Sequence, residues 1–136
     1  MSHEYAETLM RRANEYLLSA ERNYNDGLYD IACVEAEIAA QLAIKAAIVK
    51  AGLSAPRVHS IRRLIAFIVE NTEKEDIKKK LLDYVRMNRA KLIVLERCRE
   101  AGQYGMESAD REEAEIALEA SREVIRLAKE IWELGF

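Results

Sequence analysis

Only one proline and five glycines interrupt this chain of 136 residues. Proline breaks helix interiors and glycine loosens them, so their scarcity leaves room for long helices. The only histidines, His3 and His59, and the only cysteines, Cys33 and Cys98, stand too far apart for a sequence-local zinc site. No metal and no cofactor is expected. Neither cysteine belongs to a CxxC pair, and both fall inside helical patterns, which reads as reduced thiols in a cytoplasmic protein. A charge-free apolar run of about 18 residues is absent, so no membrane-spanning helix is expected. The opening MSHEYAETLMRR holds acidic residues and no apolar stretch, unlike a secretory signal. No alternating apolar–polar run outlasts the helical periods around it, so no strand is expected.

What the chain does have is helix-forming material. Half of it is apolar, and Ala, Glu, Leu, Ile, Lys and Arg dominate. The length fits one domain, 1–136, able to bury a core. The net charge of −3 is unevenly spread. Residues 57–99 hold 12 Lys and Arg against 6 Asp and Glu, while the remainder carries a balance of −9. Such asymmetry marks either a basic surface for an anionic partner or complementary faces meeting between helices or subunits.

Periodicity predicts about five helices. The first runs from about Glu4 to Tyr24, with Tyr5, Leu9, Ala13, Tyr16, Leu17, Ala20 and Tyr24 on one stripe. The tripeptide NDG, ending at Gly27, turns the chain. The second helix spans about Tyr29 to Ala51, and Gly52 is placed to end it. Its Ala32, Ala36, Ala40, Ala43 and Ala47 share a flank that lets a neighbour approach closely. The third covers about Ser60 to Glu70. Thr72 and Glu75 have capping-box spacing and open the fourth, about Glu73 to Glu100. After AGQYGMES, Asp110 and Glu113 cap the fifth, about Arg111 to Leu134.

The last two predicted helices carry two apolar stripes each. On the fourth, Ile77, Leu81, Tyr84, Val85, Leu92 and Leu95 face one way, together with Asn88 and Arg99, while Leu82 and Ile93 face the other way among Lys79, Arg86 and Arg97. On the fifth, Leu118, Ile125 and Trp132 form a second stripe. A second stripe needs a second surface to cover it, most simply a homodimer, with Trp132 and Phe136 buried against the other copy.

The second helix is apolar nearly all round, yet Glu37, Gln41 and Lys45 recur every fourth residue on one drifting line. Buried charge is costly unless paired, so this line is either a structural network with partners such as Asn88 and Arg99, or the wall of a cleft for a phosphate or nucleotide. His59, at the start of the third helix, is expected to cap free N–H groups or to bond Asp30 or Glu37. Arg86, Arg89 and Arg97 are candidate phosphate-binding residues, with surface ion pairs as the alternative. Tyr104, in its glycine-flanked segment, is expected to anchor packing.

The order of these features resembles the HEPN domain family. The resemblance is carried by YDIACVEAEIAAQLAIKAAIVKAG followed by PRVHSIRRLI, with Tyr29, Asp30, Lys45 and His59 at matching places, and by the closing ADREEAEIALEASREVIRLAKEI. It implies an up-and-down helical bundle, a homodimer, and a role near nucleotides or RNA, with a minimal nucleotidyltransferase as protein partner in a toxin–antitoxin or defence setting. Neither membrane nor DNA is expected as a partner. Ribonucleases of the family carry Arg, four to six residues, then His. No His follows His59 here, and the nearest fit runs from Arg99 to Tyr104, REAGQY. A phenol with pKa near 10 is a poor general base at neutral pH. The chain is therefore read as a binding and interaction module, with an Arg99–Tyr104 ribonuclease as the enzymatic alternative.

Overall fold

In the computed structural model, which describes residues 2–136, the chain forms α1 (Ser2–Asn25), α2 (Tyr29–Lys50), α3 (Ile61–Asn71), α4 (Glu75–Met87), α5 (Arg89–Tyr104) and α6 (Arg111–Leu134). No strand occurs among the described residues, so the chain is all-α as its periodicity predicts.

Two glycines set the ends of the first hairpin. Gly27 takes φ +79° and its N–H reaches Tyr24 O at 3.0 Å, while Leu28 N–H reaches Asn23 O at 2.8 Å. Gly52 repeats this closure at φ +86°, with Gly52 bonded to Val49 O at 2.9 Å and Leu53 to Ile48 O at 3.3 Å. Both pairs of bonds satisfy the last helix carbonyls, and the positive φ suits a residue without Cβ.

The expected cap at Asp110 is present: Glu113 N–H donates to Asp110 Oδ1 at 2.8 Å and the Glu113 carboxylate accepts from Asp110 N–H. The expected box at Thr72 is not. Thr72 is buried and accepts instead from Lys74 N–H at 3.2 Å, and α4 starts at Glu75 after Lys74, which makes no side-chain cap bond. The hydroxyl that would cap is used in a local turn.

The fourth predicted helix is two. Asn88 sits at φ −121°, ψ +21°, outside the helical region, between α4 and α5. Its Nδ2 and its backbone N–H both donate to Tyr84 O at 3.0 Å. A short amide side chain competing for a backbone carbonyl bends the helix there.

α2 lies in the middle. It runs antiparallel to α1, where Ser19 and Asn23 donate to Glu35, and parallel to α6, where Ser121 Oγ donates to Ala36 O at 2.7 Å. The predicted alanine flank is buried throughout, and it lets α1, α5 and α6 all press on one helix. Close approach is tightest at Gly102 on α5. A Cβ there would lie 2.7 Å from Val34 Cγ2 and 2.9 Å from Asp30 O.

Two apolar expectations change. On α1 the buried residues are Ala6, Leu9, Ala13 and Ala20, while Tyr5 and Tyr16 are exposed. Small residues seat α1 against α2 and leave the tyrosine rings on its flank. On α6 both stripes are covered within the chain, because α1, α2 and α5 all contact this helix, so Leu118 and Ile125 are buried. Trp132 packs beside Ala6, Leu9, Ala46 and Val49, with Lys50 Nζ 4.7 Å from its ring centre, and Phe136 packs on the main core. These stripes therefore need no second copy. On α4, Leu82 and Met87 do remain exposed, at 55% and 77%.

Candidate functional site

The polar line of α2 meets α5 and the start of α3. Glu37 is 1% exposed and Gln41 4%. Gln41 Nε2 donates to Glu37 Oε1 at 2.9 Å and also contacts Oε2. Its amide oxygen then points outward, 3.4 Å from His59 Nδ1. An amide oxygen only accepts, so that bond requires the proton on Nδ1. His59 thus bonds Gln41, and Asp30 and Glu37 are not its direct partners. Ser60, not His59, caps α3, accepting from Arg63 N–H at 3.3 Å.

No cation comes within 4.0 Å of the Glu37 carboxylate among the described residues. Burial pushes its pKa up to about 7, against the opposing pull of the Gln41 bond and of the Arg99 and Lys45 charges. Lys45 is held below its usual range, first by burial, then by Arg99, with Glu37 acting the other way. Lys45 and Arg99, both half-buried, form no ion pair within 4.0 Å. The two cations therefore act on one buried carboxylate without closing on it as ion pairs.

Two residues that sequence reasoning did not single out frame this group. Glu96 takes Arg62 Nε at 2.9 Å, Nη2 at 3.1 Å and the Arg62 backbone N–H at 3.1 Å. This three-fold bond ties the first turn of α3 to α5 and occupies the Glu96 carboxylate. The partners lie 34 positions apart, so no local spacing announces them.

The remaining candidates lie elsewhere. Asp30, in the first turn of α2, accepts from Ala109 N–H at 2.6 Å and ties down the segment before α6. Asn88 lines a groove with Lys80, Tyr84 and Glu123 near the bend. It lies eleven residues from Arg99, about 16 Å along a helix at 1.5 Å per residue, and is no partner of Glu37. Arg86 pairs with Asp83 at 2.9 Å. The bend at Asn88 separates Arg86 from Arg89 and Arg97, so these three share no helical face. Tyr104 ends α5 and is 81% exposed, so it is not a packing anchor. Five residues turn a helix by about 140° beyond one full turn, so Arg99 and Tyr104 point apart.

The basic excess of 57–99 is partly spent on α6. Lys80 pairs with Glu130, and Lys91 with Glu119 at 3.2 Å and Glu123 at 3.0 Å. Complementary helical faces thus account for part of the charge asymmetry. Arg57, Arg63, Arg89, Arg97 and Arg99 have no such partner among the described residues. No group of three His, Cys, Asp or Glu is placed to hold a metal, and no helix is long and apolar enough to cross a membrane, again among the described residues.

The family model of the HEPN domain matches residues 6–132. The chain belongs to the HEPN domain family. Its HEPN fold is similar to the crystal structure of TT1696 from Thermus thermophilus, with a TM-score of 0.72 and 25% identity, over 92% of this chain and 96% of that one. A search of curated proteins found no match.

Proposed function

We propose that this HEPN chain is a binding and interaction module whose Lys45 and Arg99 receive the phosphate of a nucleotide or of RNA, beside His59 and Gln41. One observation carries this reading: two half-buried cations act on the buried Glu37, and neither forms an ion pair among the described residues. A phosphate supplies the negative charge that Glu37, with its raised pKa, supplies only in part near neutral pH. A guanidinium offers paired donors to phosphate and an ammonium a mobile point charge, so the two complement each other.

The family resemblance supports a homodimer and a nucleotidyltransferase-type protein partner in a toxin–antitoxin or defence setting. The exposed Leu82 and Met87 of α4 offer an apolar surface for either contact. The binding reading is tested by soaking crystals with nucleotides. Density for a phosphate between Lys45 and Arg99 is the expected result; density confined to other surfaces, or none, would overturn it.

A further inference from the structure

On the other flank of Lys45 lies a cavity of about 570 Å³, between α1, the second half of α2 and the loop that follows Gly52. Its walls are Leu9, Leu42, Val49, Leu53 and Ala55, with Tyr5, Ser54 and Lys45 supplying the polar side chains among the described residues. Leu9 and Val49 are buried while Tyr5 is exposed, so this is a recess that opens to solvent. The volume falls in the range of small-molecule sites, which are mostly apolar with a few placed polar groups.

We propose that this recess binds a small amphiphilic carboxylate, its apolar body against Leu9, Leu42, Val49 and Leu53 and its charge at Lys45. The inference goes beyond the phosphate site and does not rest on it. Both use the Lys45 ammonium, so the two ligands compete for it, and Arg99→Ala, which should spare octanoate binding, tells them apart. Charge complementarity selects the occupant. The recess holds one cation and no anion, so a neutral or cationic guest would leave the ammonium unpaired in a partly dry place. Its aliphatic side, Leu9, Leu42, Val49 and Leu53, offers no partners for the polar edges of a nucleobase, whereas a hydrocarbon body loses no hydrogen bond there. A monoanion with a hydrocarbon body meets both conditions. Its carboxylate also offsets the burial that weakens the charged form of Lys45. The Schellman closure at Gly52 fixes where Leu53 enters the wall.

The probe is octanoate, with 1-octanol as the uncharged counterpart, measured by titration calorimetry on the full chain. The expected result is one octanoate per chain. Octanol and the Lys45→Met variant should each weaken binding by about tenfold or more, as loss of a charge-assisted bond implies, and Lys45→Arg should restore most of it. Leu42→Trp, which fills the recess, should abolish octanoate binding. Circular dichroism on each variant reports folding, and the Met and Arg pair keeps the test decisive where the Trp variant does not fold. Equal affinity for octanol, unchanged affinity in Lys45→Met, or no octanoate binding at millimolar concentration would each overturn the proposal. So would a Leu42→Trp variant that changed the sedimenting mass instead, which would make this face a contact between copies.

Discussion

Gln41 holds the carboxylate of Glu37 from one helical turn away, at 2.9 Å, and among the described residues no cation closes on that carboxylate within 4.0 Å. A buried acid with an amide partner and only distant positive charge is poorly stabilised when ionised. The same gap leaves Lys45 and Arg99 available to something outside the chain.

The raised pKa of Glu37, about 7, makes folding depend on pH in a defined window. The unfolded carboxyl ionises near 4.5 while the folded one stays protonated to about 7, so the folded state binds more protons between these values. Stability should therefore fall as pH rises through this window and level off above it, by roughly 3 kcal/mol. Glu37→Gln should remove that slope, so that the variant gains on the native chain as pH rises from 4.5 to 7. Denaturant unfolding at a series of pH values checks this, and identical slopes for the two proteins would contradict it.

At Gly102 the crowding is backbone as well as side chain. Gly102→Ala should destabilise the protein by about 1–3 kcal/mol, since Asp30 O cannot step aside without moving the first turn of α2. The gain in helix propensity from Gly to Ala, about 1 kcal/mol, opposes this and sets the lower end. A thermal midpoint equal to or above that of the native chain would show that α2 and α5 are not closely seated here.

Self-association should rest on α4 rather than on α6, whose stripes are covered. Sedimentation is expected to give twice the 15.6 kDa chain mass, and Leu82→Glu with Met87→Glu should return the single mass. A native chain that sediments only at 15.6 kDa at micromolar concentration would remove the homodimer.

Cleavage of generic RNA is expected to be absent or weak. Tyr104 points away from Arg99 on α5 and stands in solvent, so the pair offers no positioned base. An RNase activity that persists through purification and disappears in Arg99→Ala would contradict this.

Much of the fold was legible because its signals are local. Gly27, Gly52 and the Asp110–Glu113 box each act within a few residues, and the alanine flank of α2 repeats at helical spacing. The bend at Asn88 has no local signal, because an inward Asn on a periodic helix reads as a core polar group, whereas its side chain takes its own helix's carbonyl. Tyr5 and Tyr16 lie outside the core, and apolar spacing alone does not tell a stripe's centre from its edge when alanines compete for the close contact. In the site, the Glu37–Gln41–Lys45 line was visible as polarity against an apolar background. The Arg62–Glu96 clamp was not, because only tertiary folding brings together residues 34 positions apart.

The central claim, that Lys45 and Arg99 form a phosphate-receiving pair, is tested most directly by titrating a labelled oligoribonucleotide and a mononucleotide into the native chain, Arg99→Ala and Lys45→Met. The account predicts saturable binding to the native chain that weakens about tenfold in each variant, while thermal unfolding confirms that both variants remain folded. Binding that is unchanged in both folded variants, or absent from the native chain, would contradict it.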